Sequence, residues 1–225
     1  MVARKDERFA RNIGPLSAIE QGKLARAKVG IVGLGGTGGA AFECCVRNGI
    51  GKFVIFDCDK FELSNFNRQL YAIDRNVGKV KVNVAAEKAR RINPDVKIIA
   101  YAERVGEKNA AMLAKCDVVI DCTDNVRSRR IVSAFCRKRK IPYVFCSAGG
   151  SSGMASVFEN IDLDGALPGA REPVSKGVLA QAAMIAGTLA AAQALAVLLG
   201  KECVRAPEFI FFDLFSERVL WKQKV

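Results

Sequence analysis

A short β-prone run, Lys28–Val32, passes directly into Gly33-Leu34-Gly35-Gly36-Thr37-Gly38-Gly39, and a helix-forming stretch begins inside the glycines. Few chain folds accept that junction. It fits G-x-G-x-x-G, in which Gly33, Gly35, Gly36 and Gly38 let backbone N–H groups approach a phosphate while the helix N-terminus adds a favourable dipole. The helical stretch over 36–48 leads to a second β-prone run over 53–57, which is the spacing of a parallel strand-helix-strand unit. That run ends in Asp57, nineteen residues after Gly38. A carboxylate there can accept hydrogen bonds from ribose hydroxyls. Loop and carboxylate together mark a nucleotide site, and the pattern serves nicotinamide dinucleotides and ATP alike.

The alternation continues. Strands are predicted over 96–100, 118–121 and 143–147, separated by helices over 80–92, 108–115 and 125–138, after an opening helix over 17–27. This order predicts an α/β fold: a Rossmann-like, mainly parallel sheet with helices on both faces. Beyond residue 147 come a Gly/Ser turn over 149–153, a strand over 154–158, an irregular loop over 159–176 and a long Ala-rich helix over 178–200. Two final strands, over 209–213 and 218–222, extend the sheet as an antiparallel hairpin. The expectation is one domain over 1–225, with a basic arm and helix over 1–27, a nucleotide-binding core over 28–147, and the crossover loop, long helix and hairpin over 148–225.

Composition removes several chemistries. The 225 residues include no histidine, which excludes Ser-His and Cys-His nucleophiles and the commonest metal ligand. Eight cysteines occur without a CxxC pair, so they read as reduced, buried thiols of a cytoplasmic protein, and no zinc is expected. The net charge of +12 points to an acidic partner, either a nucleotide, a protein surface or a nucleic acid. The charged start, Val2 to Glu7, lacks a signal-peptide core. The Ala-rich helix is long enough to span a bilayer, but Gln181 and Gln193 favour a buried core or dimer helix, and no membrane partner is expected.

Three polar segments follow strand ends. Asp59 to Gln69 carries Arg68, a planar fork for phosphate oxygens, with Asn65 and Gln69 as neutral partners. Val77-Gly78-Lys79-Val80-Lys81 opens a helix with lysines, which opposes the dipole unless an anion binds there. Ile120-Asp121-Cys122-Thr123-Asp124-Asn125 places Asp124 before a helix, as an N-cap or as a carboxylate holding Mg2+ on nucleotide phosphates.

Taken in order, G33-x-G-G-x-G, Asp57, S64-N-F-N-R-Q69, V77-G-K-V-K81, I92-N-P94 and D121-C-T-D-N125 resemble the ThiF/MoeB/HesA activating enzymes over nearly the whole chain. The resemblance implies ATP and Mg2+ as ligands and a ubiquitin-like carrier protein ending in Gly-Gly as the partner whose carboxylate is adenylated. It implies that Asp57 holds the ribose, that Arg68 and Lys81 hold the phosphates, that Asp124 binds the metal, and that Asn65, Gln69 and Asn125 help bind the nucleotide. Arg8-Phe9-Ala10-Arg11 resembles the segment that sends an arginine into a neighbouring subunit's site, which implies Arg11 and a homodimer. The chain departs from many relatives in lacking both the zinc cysteines and a cysteine between Cys146 and Cys203, so a persulfide or thioester step is not expected at the usual place. A related branch activates a modified adenosine carboxylate on tRNA. A nicotinamide-binding Rossmann protein and a non-catalytic partner subunit are the remaining alternatives.

Overall fold

Strands β1 (Lys28–Val32), β2 (Lys52–Phe56), β3 (Lys97–Tyr101), β4 (Val118–Asp121) and β5 (Tyr143–Gly149) pair in parallel in a computed structural model, which describes residues 7–171 and 177–225. Three antiparallel strands, β6 (Ser152–Phe158), β7 (Glu208–Asp213) and β8 (Leu220–Lys224), complete an eight-stranded sheet in the order β3-β2-β1-β4-β5-β6-β7-β8. The expected architecture is therefore the one observed. Helices α1 (Ala18–Arg26), α2 (Gly36–Arg47), α3 (Lys81–Ile92) and α6 (Ala180–Leu199) supply one core, and α4 (Val126–Arg139) with the one-turn α5 (Leu163–Ala166) supplies the other. Strand β2 shows why the run FVIF, after exposed Lys52, is apolar throughout. Phe53 and Ile55 enter the first core, while Val54 and Phe56 enter the second. A strand covered on both faces has no polar side to present.

Helix α6 derives its composition from close packing. Ala182, Ala183, Ala186, Ala190, Ala191 and Ala194 are buried, and a Cβ at Gly187 would lie 2.1 Å from the Thr37 carbonyl oxygen in the first turn of α2. Small residues let the two helix backbones approach, so α6 braces the helix that begins in the glycine loop. Its mean hydropathy of 2.0 and length of 20 residues match a membrane span by composition, yet this face packs on α2 and the sheet.

Several expected boundaries change. The helix predicted over 108–115 is only a 3-10 turn, Ala110–Leu113. Asn109 accepts the Gly106 N–H at 2.8 Å and donates to Glu103 and to the Arg104 carbonyl, and this side-chain bonding competes with a regular helix. The turn predicted over 149–153 is tighter, because β5 runs to Gly149 and β6 begins at Ser152. The loop predicted as irregular over 159–176 contains α5, capped by Asp162 and tied to α4 by Arg130–Asp164 and Arg137–Asp162 ion pairs. Residues 172–176 of that loop lie outside the described residues, as do 1–6 of the charged N-terminal segment. The last strand starts at Leu220, not 218, since Asp213 accepts the Phe215 N–H and the Ser151 hydroxyl and so lengthens the turn. The basic arm itself forms a 3-10 helix, Glu7–Asn12.

Gly187→Ala should cost about 2 to 3 kcal/mol by overpacking against α2. Gly106→Ala, which meets nothing within 4 Å, should be near neutral. Urea unfolding of the two variants checks the difference.

Candidate functional site

The strand order reverses between β1 and β4, and open α/β sheets bind ligands at such a switch point. A cavity of about 500 Å3 opens there, over the C-terminal ends of β1, β2, β3 and β4. It brings together Gly33, Gly35, Gly36, Asp57, Asn65, Arg68, Gln69, Lys81, Asp124 and Asn125. Gly38 does not line it and serves in the packing beneath.

The glycines have different jobs. Gly33 has φ +87, and a Cβ on it would lie 2.8 Å from the Cys122 carbonyl oxygen. A Cβ on Gly38 would lie 1.9 Å from the Gly33 carbonyl oxygen, and one on Gly36 would lie 2.9 Å from Ala183. Gly35, the N-cap of α2, meets protein no closer than 3.8 Å, so its missing side chain leaves room on the cavity side alone. No side chain caps α2, which leaves its first N–H groups facing the cavity.

Asp57 is buried, and its two oxygens accept the Leu34 N–H at 2.6 Å and the Asp59 N–H at 2.8 Å. It pins the glycine loop to β2 and keeps lone pairs for a ligand hydroxyl. Burial pushes its carboxyl up, against the pull of those two N–H groups. Lys81 starts α3 almost fully buried and donates to Asp59 at 3.1 Å. That ion pair answers much of the conflict between a lysine and a helix N-terminus. Arg68 spends Nη1 on the Ser64 carbonyl (2.9 Å) and on Asn67 (2.7 Å). Asn65 closes its own turn by accepting the Glu62 N–H at 3.1 Å. Gln69 is buried, and its Oε1 has no hydrogen-bond partner.

The turn after β4 removes one of the two roles open to Asp124, that of helix cap. Asn125 is the N-cap of α4, accepting the Ser128 N–H at 2.8 Å. Asp124 is thereby released from capping, is exposed at the cavity, and makes no ion pair or hydrogen bond among the described residues. Behind it, fully buried Asp121 accepts the Thr123 N–H (2.8 Å), the Thr123 hydroxyl (2.7 Å) and the Tyr143 hydroxyl (2.6 Å). Burial and the Asp121 charge push the Tyr143 phenol well up, so it stays a proton donor.

Arg11 is not brought to this cavity. Its neighbour Asn12 bonds the Asn48 carbonyl at the far end of α2 from the glycine loop, about 18 Å away at 1.5 Å per helical residue. Arg11 is exposed there, away from this cavity. The sequence reading missed Thr37, Cys58, Glu103, Arg104, Val105 and Ser128, which also line the cavity. For Glu103 to Val105 a signal existed: they directly follow a parallel strand, at the edge where ligands bind.

The described lining carries Arg68, Lys81 and Arg104 against Asp57, Asp59, Glu103 and Asp124. A polyphosphate meets no excess of positive side-chain charge among these described residues. Among the described residues no three acidic or thiol groups converge, and Asp124 would hold a divalent cation together with phosphate oxygens, the usual manner for Mg2+. A second cavity of about 420 Å3 shares Thr37, Cys122, Thr123, Asp124 and Ala148 with the first and is walled by Phe145, Met154, Leu163 and Leu167.

Gly38→Ala is expected to destabilise the fold by about 3 kcal/mol or more. Gly35→Ala should keep the melting temperature yet weaken nucleotide binding, as thermal melts with and without nucleotide will show.

The profile of the ThiF family matches residues 9–224. The tRNA threonylcarbamoyladenosine dehydratase of Escherichia coli K12 is 39% identical over 132 residues, 58% of this chain and 48% of that protein. This chain thus aligns with about half of that relative's length. The sulfur carrier protein ThiS adenylyltransferase of the same organism is 33% identical over 202 residues, 86% of this chain and 80% of that protein. The crystal structure of the E. coli dehydratase in complex with ATP superposes with a TM-score of 0.74 at 27% identity, covering 86% of this chain and 94% of that one.

Proposed function

The chain belongs to the ThiF family, and from that premise we propose that it adenylates a carboxylate, using ATP and Mg2+ and releasing pyrophosphate. The observation that carries this reading is Asp124, left without a capping duty by Asn125 and set beside a glycine loop with free helix N–H groups. In the proposal the glycine loop and the first turn of α2 take the phosphate chain, and Asp57 and Gln69 with Asn65 hold the nucleoside side. Arg68 and Lys81 neutralise charge on the phosphates. The family relation also supports ATP as the nucleotide, since a solved relative holds ATP.

The chemistry asks little of the protein in acid-base terms. A C-terminal carboxylate has a reference pKa of about 3.3 to 3.7, so near neutrality it is already a nucleophile. A chain without histidine loses nothing by that lack. Attack on the α-phosphate builds negative charge on the phosphoryl oxygens and the departing pyrophosphate, which preorganised cations and N–H groups stabilise. Mg2+, when bound, supplies further charge neutralisation on the phosphates. The second cavity meets the first at Thr37 and Asp124, which supports it as the approach for the carboxylate-bearing tail.

The finer reading is a ubiquitin-like sulfur-carrier protein with a C-terminal Gly-Gly, in a cytoplasmic homodimer whose partner copy contributes Arg11. Leu63, Phe66, Leu70, Ile73 and Val77, close to Arg68 in sequence, are exposed apolar residues that support a second copy covering this segment. A second reading, a carboxylate carried on a modified tRNA adenosine, is favoured by the 39% identity to the tRNA dehydratase.

ATP-pyrophosphate exchange tests both. Exchange should depend on a Gly-Gly-ending carrier under the first reading and on threonylcarbamoyl-modified tRNA under the second. Asp124→Asn should lower it by about 100-fold or more. Exchange with neither, under Mg2+ saturation, sinks the adenylation proposal.

A further inference from the structure

Arg129, one turn into α4, is a guanidinium buried to 8% exposure, and it has no ion-pair partner at hydrogen-bond distance among the described residues. Its Nη2 donates to the Thr123 carbonyl, and its Cζ lies over the Phe145 ring, 4.5 Å from the centroid. Its Nη1 is buried with no hydrogen-bond partner. The nearby Asp121 charge is the chief influence offsetting its burial. Between them, Asp121 and Arg129 hold every polar group of Thr123: Asp121 takes its N–H and hydroxyl, and Arg129 takes its carbonyl.

As a source of stability this is a poor arrangement. Desolvating a guanidinium and a carboxylate costs several kcal/mol each, an apolar pair of similar shape often does as well, and an unpartnered Nη1 adds to the cost. What the arrangement does achieve is a backbone with no freedom at the residue before Asp124. The fork is also suited to this place as lysine is not, since a guanidinium can lie over the Phe145 ring while its N–H groups donate to a carbonyl.

Resting on the proposed role of Asp124, we infer that Arg129 is a positioning residue: by holding the Thr123 carbonyl, it fixes the Asp124 carboxylate where a phosphate-bound divalent cation is taken. Arg129 touches neither the nucleotide nor the cation in this scheme. It acts through one peptide unit, and its loss loosens the metal site before it loosens the nucleotide site.

The test is calorimetric titration of ATP with and without Mg2+ on the full chain. Wild type is compared with Arg129→Met, Arg129→Lys, Asp124→Asn and the double variant Asp121→Asn/Arg129→Met. The double variant leaves no buried charge unpaired, and Asn keeps an acceptor for Thr123, so it is expected to fold even where Arg129→Met does not. Metal-free ATP affinity should stay within about twofold of wild type, while the gain in affinity on adding Mg2+ should fall by about tenfold or more in the Met variants, as for lost supports of metal ligands generally. Arg129→Lys should recover part of the gain. An undiminished Mg2+ gain in the folded Met variants overturns the positioning role, as does an equal loss with and without metal. If wild type shows no Mg2+ gain and Asp124→Asn changes nothing, the metal role of Asp124 fails first and the role of Arg129 falls with it.

Discussion

The backbone of the glycine loop touches the backbone of the turn after β4, and there is space between them for nothing larger than a hydrogen. Gly33 meets the Cys122 carbonyl and the Thr123 nitrogen, and Gly38 meets Gly33 in turn. Because β1 and β4 are neighbours at the point where the strand order reverses, their two loops would otherwise diverge and leave a wide crevice. The close contact holds the free N–H groups of α2 and the carboxylate of Asp124 to one cavity wall. From there the other parts follow: Asp57 ties the loop to β2, and α6 backs α2 with alanines and Gly187.

Electrostatics at this place are set by what is left unpaired. Lys81 is committed to Asp59, Asp121 to Thr123 and Tyr143, and Asn125 to the start of α4. Asp124 and the first N–H groups of α2 retain their bonding capacity, as does one oxygen of Gln69. Among the described lining residues carboxylates outnumber cations, so a metal ion, or charge from another copy, would strengthen the hold on a polyphosphate beyond what the helix N–H groups supply. Both are parts of the proposed chemistry.

Much of this was legible in the sequence because it is local. A strand running into glycines, an acid closing the next strand and apolar runs covered on two faces are fixed by neighbours a few residues away. The helix expected over 108–115 gives way to a 3-10 turn because Asn109 bonds its own backbone surroundings, which helical composition does not reveal. Asp124 and Asn125 are both good caps, and only the backbone at 125 settles which one turns toward the helix. Lys81 read as a conflict because its answer, Asp59, lies 22 residues away. Arg129 sits among Arg127, Arg130 and the basic end of α4, and nothing in its residue type singles it out from them. Its signal was the helical period: Val126, Arg129, Val132, Ser133 and Cys136 form one buried stripe.

That the cavity is an ATP site built for phosphate and metal chemistry, and not a nicotinamide site, is tested most directly by equilibrium competition. ATP with Mg2+ should bind saturably, in the range of about 1 μM to 1 mM usual for enzyme substrates, and an equal concentration of NADH should leave it bound. Displacement of ATP by NADH, or saturable NADH binding where ATP binds not at all, would contradict the account.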